Sequence, residues 1–185
     1  MAMDLYGKNA KNQEGEYFRN NVWWWHPLWE YCVSIHSYIA GKVDDGRSND
    51  GDGLDQDEAK KLGLRLMSDL ENGATAKYEW EYRERLSLLP MPDCNWCDST
   101  GIRTDPVGVE NGMPTKELDE DVAIMVGRTR GWCNVCHGYG KEAPWQVNYP
   151  FSTENVQEFA DFLLNCGGFE YSYEHFTSEG RSRGL

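Results

Sequence analysis

Four of the six cysteines fall into two Cys-x-x-Cys pairs, Cys94-Asn95-Trp96-Cys97 and Cys133-Asn134-Val135-Cys136. Two thiolates at this spacing can turn onto one cation. Four thiolates at about 2.3 Å complete a tetrahedral zinc shell and leave no open position. Small residues follow each pair, Ser99 and Gly101 after the first, Gly138 and Gly140 after the second. They let the chain reverse and bring backbone amides up to the sulfurs. The spacing therefore predicts one structural zinc held by Cys94, Cys97, Cys133 and Cys136. Three other chemistries share these residues. Cys133-Asn134-Val135-Cys136-His137 spells a c-type haem attachment site, which needs export; the segment from Met1 to Lys8 lacks the charged-then-apolar pattern of a signal peptide. A redox dithiol normally opens a helix, where the dipole lowers the thiol pKa. Here Pro92 and Gly131-Trp132 precede the pairs and glycines follow. His137 could replace one Cys as a ligand, although an exposed His is the simpler reading.

The second pair with its trailing residues, Cys133-Asn134-Val135-Cys136-His137-Gly138-Tyr139-Gly140, resembles the Cys-x-x-Cys-x-Gly-x-Gly repeat of DnaJ-type cysteine-rich zinc domains. The first pair matches in part, with Ser99 at the first glycine position and Gly101 at the second. The resemblance covers roughly 94–141 and implies two knuckles on one zinc. It does not extend to chaperone work, because the family carries four such repeats and this chain two, with no His-Pro-Asp motif. The chain as a whole resembles small uncharacterised bacterial and phage proteins that join an aromatic N-terminal segment to one such finger.

Elsewhere the chemistry is thinner. Cys32 and Cys166 lie at apolar positions and read as buried thiols; a nucleophilic Cys32 with His26 or His36 lacks an evident orienting carboxamide or carboxylate. The segment from Ser48 to Asp55 has part of a calcium-loop pattern, with Asp50 and Asp52 at ligand positions once Gly53 is aligned. Ser48 replaces the first Asp and Ala59 the bidentate Glu, so tight calcium binding is not expected. Residues 44–58 hold seven acids and one Arg, an acidic docking patch. Trp23, Trp25 and Trp29 are candidate anchors at a protein interface, since Trp is favoured there. Arg128, Arg130 and Lys141, interleaved with Trp96, Trp132, Tyr139 and Trp145, are the alternative: cations and aromatics that could stack a base.

The elements that must position these groups follow from periodicity and punctuation. Residues 1–16 read as irregular and the aromatic run to His26 as extended before Pro27. A helix is expected over 27–40. Asp55 caps a second helix that ends at Asn72-Gly73, and a third continues to Pro90; the short connection predicts an antiparallel hairpin. A short helix is expected within 116–126 and a last one from Ser152 or Thr153 to Gly167-Gly168. Phe169, Tyr171 and Tyr173 alternate with polar residues as a short strand. The tail 177–185 reads as mobile.

The expected architecture is α+β: a mostly helical single domain with a zinc-stapled knuckle subdomain. Its parts are 1–90 (aromatic N-terminal segment and helices), 91–145 (knuckles) and 146–185 (helix, strand and polar tail). Eight Trp, ten Tyr and six Phe in 185 residues rule out wholesale disorder. No run approaches the roughly 20 apolar residues of a membrane helix, so a cytoplasmic protein with no membrane role is expected. The net charge of −13 argues against non-specific nucleic-acid binding and suits an acidic surface docking on a basic protein. No phosphate loop or nucleophile motif is assembled. The expectation is a non-enzymatic, zinc-stabilised protein-binding module, a regulator or inhibitor of another protein. The alternatives are a nucleic-acid or nucleotide-binding zinc protein and a zinc or thiol hydrolase.

Overall fold

The computed structural model describes residues 2–171. In chain order the elements are β1 (Ala2–Gly7), α1 (Gln13–Glu16), β2 (Tyr17–Asn21), α2 (Val22–Ile35), α3 (Ser37–Ala40), α4 (Gln56–Glu71) and α5 (Ala74–Ser87). There follow α6 (Pro106–Glu110), α7 (Glu120–Val126), α8 (Thr153–Asn165) and β3 (Phe169–Tyr171). About half the chain is helical, as an α+β reading requires. It divides into two compact units, one made of residues up to Glu84 and from Asn148 onward, the other of Arg85–Val147. These boundaries differ from the expected 90/91 and 145/146. Among the described residues no helix is long and apolar enough to cross a membrane.

The first unit is built on a three-stranded antiparallel sheet in the order β2-β1-β3, with Leu5 opposite both Phe18 and Tyr171. Met3 and Leu5 alternate with the less buried Asp4 and Tyr6, so one face of β1 enters the core. Phe18 of β2 meets Phe159 and Phe162 of α8 at ring separations of 5.2 and 5.6 Å. The predicted stripe of α4, Ala59, Leu62 and Leu66, is buried in the same core as Val156, Ala160 and Leu163 of α8. Gly63 brings those helices together: a Cβ there would stand 3.1 Å from Leu163 Cβ.

Four expectations are corrected here. Residues 1–16 are not irregular; they supply β1, whose buried face is only two residues long, and α1, capped by Asn12. The aromatic run is not extended up to His26. Asn21 accepts a hydrogen bond from Trp23 N–H and starts α2 at Val22, so Pro27 lies inside the helix and only its bond to the Trp23 carbonyl is forgone. The helix expected to run to residue 40 breaks at His36, whose ring is bonded to Asp69 at 2.7 Å. The α4–α5 hairpin does not form. The apolar face of α4 is covered by α8, while Tyr78 of α5 packs against Tyr31 and Phe151, both at 4.8 Å.

In the second unit α6 is capped by Asp105 and α7 occupies the stretch read as a short helix. Antiparallel pairing of Glu117 with Arg130, and bonds from Gly131 N–H to Lys116 and from Trp132 N–H to Met113, return the chain to the second cysteine pair. The expected strand is found at Phe169–Tyr171; Tyr173 and the tail 177–185 lie outside the described residues.

Candidate metal centre

Cys94, Cys97, Cys133 and Cys136 converge, buried, with their sulfurs all within 4.8 Å of one another. Among the described residues they are the one group of His, Cys, Asp or Glu able to hold an ion. A tetrahedron with metal–sulfur bonds of about 2.3 Å has sulfur–sulfur edges of about 3.8 Å. The Cys94–Cys133 and Cys97–Cys136 pairs stand 3.9 and 3.7 Å apart, so the donor set fits one cation with four sulfur ligands. All four are free thiols rather than disulfides. His137 lies outside the group, exposed, its ring 6.1 Å from that of Trp132.

The two knuckles have the same local geometry. Asp98 and His137 have φ of 48° and 54°, Ser99 and Gly138 of 61° and 96°, Gly101 and Gly140 of 74° and 76°. This left-handed turn points the amide of Gly101 at Cys97 Sγ and that of Gly140 at Cys136 Sγ, each at 3.2 Å. The glycines also hold the knuckles together. A Cβ on Gly101 would collide with the Gly138 carbonyl, and one on Gly140 with the Ser99 carbonyl. Cys94 N–H donates to the Gly140 carbonyl at 3.0 Å and Glu142 N–H to that of Pro92 at 2.9 Å.

The thiols are not electrostatically equal. Burial, reinforced by the Glu142 carboxylate, pushes Cys94 well above the ordinary thiol range. Burial also raises Cys97, against the pull of the Gly101 amide. At Cys133 burial acts in the same direction, but the amides of Cys136 and Val135 outweigh it and hold the thiol below its ordinary value.

Two arginines clamp the centre, and spacing alone did not reveal them. Arg103, 7% exposed, forms a fork on Asp105 at 2.9 and 3.0 Å, bonds Asn134 of the second knuckle at 2.8 Å, and lies 4.7 Å over the ring of Trp96 in the first. The Arg-x-Asp pair is a local signal; its partners Asn134 and Trp96 meet it only in space. Arg128 donates to the Gly138 carbonyl at 2.7 Å. Of the other cations considered for nucleic acid, Arg130 pairs with Glu117 and Lys141 with Asp93. All three are thus engaged within the chain.

The candidate partner surface lies in the first unit. Trp25 and Trp29 are 0% and 2% exposed and stack at 5.3 Å, so neither is available as an anchor; this corrects the expectation for both. Their position follows from the helix start at Val22, which places residues 25 and 29 one turn apart on the inner face. They instead support the acidic loop. Trp25 Nε1–H donates to the Gly46 carbonyl at 2.8 Å, Gly46 lies against Trp29, and Gly51 against Tyr171. Asp50 and Asp52 remain on the exposed side. Asp52 Oδ1 accepts from Asp44 N–H at 3.0 Å. Trp23 is 43% exposed and packs on Tyr149 at 4.8 Å; His26 stacks on Tyr149 and bonds the Arg47 carbonyl at 3.3 Å, which ties this aromatic group to the loop.

Cys32, His36 and Asp69 do come together, but not as a nucleophilic set. Cys32 is fully buried, and burial followed by the Asp69 charge pushes its thiol far up. Asp69 also accepts from Tyr31 Oη–H at 2.9 Å. Burial raises Cys166 in the same way.

Compared with models of protein families, with curated protein sequences and with solved structures, the chain matches none.

Proposed function

We propose that the chain is a non-enzymatic protein-binding module whose second unit is folded around a structural zinc. The observation that carries the metal reading is the buried cluster of four sulfurs, with an amide on one sulfur of each pair. Four soft thiolates in this arrangement suit zinc, and four protein ligands leave no position for a substrate or an activated water. The resemblance of the two pairs to DnaJ-type repeats agrees with this, since it implies knuckles that share one zinc. Cys94, Cys97, Cys133 and Cys136 would hold the ion, and its bonds would contribute folding energy to the unit.

The protein-binding reading is supported by the join between Trp23, Tyr149 and His26 and the acidic loop. An aromatic anchor beside carboxylates fits a basic, partly apolar surface on a partner, in a chain of net charge −13. Metal analysis of purified protein should find about one zinc per chain, and none in Cys133→Ser. An affinity pull-down should recover a protein whose capture weakens with salt and on Asp50→Asn with Asp52→Asn, while Trp23→Ala should mainly speed its release. Recovery of nucleic acid alone, dependent on Arg128, Arg130 and Lys141, would replace this reading with the nucleic-acid one. Turnover of a substrate would replace it with an enzyme.

A further inference from the structure

A second surface of the first unit carries the opposite charge. Between α3 and α4 runs an open groove of about 390 Å³ with an almost wholly apolar lining, formed by Tyr38, Ile39, Lys61, Leu64, Arg65 and Ser68. Tyr38 is 57% and Leu64 54% exposed, although the inward stripe of α4 is already buried in the core. Leu64 is thus an apolar residue on the outward face of its helix. Lys61 and Arg65 flank it one turn apart, both exposed, and no carboxylate among the described residues lies within ion-pair distance of either.

That arrangement works against the isolated chain. Like charges at i and i+4 destabilise a helix, and an exposed Leu gains nothing from water. The chain has 31 acids for 18 Lys and Arg, and other cations of the unit do find them: Lys42 pairs with Glu58, and Arg83 with Glu79. A bare cation pair around an apolar groove is complementary to an apolar side chain flanked by carboxylates. We infer that the α3–α4 groove binds an acidic peptide segment of another protein, one aromatic or branched aliphatic side chain seated on Tyr38 and Leu64 and flanking Asp or Glu on Lys61 and Arg65. A peptide is favoured over an anionic bilayer because the site is a concave groove that seats one side chain, whereas a bilayer presents a broad surface. The inference rests on the protein-binding reading and places a second docking site apart from the acidic loop.

The test is selection from a random peptide display library with the full chain as bait at low salt, followed by affinities of the enriched peptides. The variants are the charge reversal Lys61→Glu with Arg65→Glu and, as a control off the groove, Lys77→Glu; thermal melts establish that each variant is folded. Peptides with an apolar residue beside Asp or Glu should be enriched, bind the reversal at least tenfold more weakly, and bind Lys77→Glu as they bind the parent. Enriched peptides that lack acids, or that bind the reversal equally well, overturn the groove and leave the protein-binding reading standing. No enrichment above bait-free support also overturns the groove, and the pull-down with the Asp50 and Asp52 variants then decides the broader reading separately. Binding of phosphatidylserine vesicles, or self-association, that is lost in the reversal would assign the groove to a membrane or to a second copy and overturn it as well.

Discussion

Gly101 and Gly140 each meet two requirements that no other residue type meets together. Each has a left-handed φ near 75°, and each lies where a Cβ would strike a carbonyl of the opposite knuckle. Gly140→Ala is therefore expected to cost about 1–3 kcal/mol and to weaken zinc binding by roughly ten- to a hundredfold, because strain and lost sulfur contacts add. Competition with a chromophoric chelator measures the second effect. An unchanged affinity would mean that the knuckle relaxes around the methyl group. The convergence of the four cysteines was legible because metal spacing is a local pattern that survives without any knowledge of the fold. Trp25 and Trp29 were not, because their fate depends on where α2 begins. Pro27 pointed to a start at Pro27, and the Asn21 cap placed it at Val22.

The starts of α1, α2, α4, α6 and α8 are fixed by short polar side chains, and that of α8 is also fixed from outside its own sequence. Ser152 caps α8 through Asn155 N–H at 3.2 Å, while Glu79 of α5 accepts from Thr153 N–H at 2.9 Å and Thr153 Oγ1–H at 2.7 Å and also pairs with Arg83. Burial disfavours the Glu79 carboxylate, but those donors win and hold its pKa below the ordinary value. A depressed carboxylate contributes stability above its unfolded pKa of about 4.3 and loses it as pH falls through the folded value. Glu79→Gln should therefore cost about 1–2 kcal/mol at pH 7, and the difference from the parent should shrink below about pH 4. Urea midpoints across that range measure it, and a gap that does not depend on pH would assign the role to packing alone. Helices with an apolar stripe and a cap, α4 and α8, were readable from sequence. The hairpin and β1 were not, since whether α8 or α5 covers α4 is decided by distant aromatic partners, and a strand with two buried residues has almost no pattern to detect.

At the scale of the molecule the division of labour follows the two cores. The first unit is held by Phe, Trp and Leu burial; the buried cluster of the second is the four cysteines, with Val135 packed against them. If the second unit holds zinc as proposed, its removal should expose amides of Arg85–Val147 to hydrogen exchange while the α4–α8 core stays protected. The cysteines themselves are 0–5% exposed, and the pairs lie on either side of residues 98–132, whose ends are pinned by backbone bonds from Cys94 to Gly140 and from Arg103 to Trp132. With thiols this buried, a chelator is expected to reach a bound ion only after the knuckles open. Release then becomes gated: the knuckles open first and the competitor captures what opening reveals. In a stopped-flow measurement the zinc loss rate should rise with chelator concentration and then level off at the opening rate, and Gly140→Ala should lift that plateau. The ion would be thermodynamically exchangeable yet slow to leave, its lifetime set by how often two glycines part from two carbonyls.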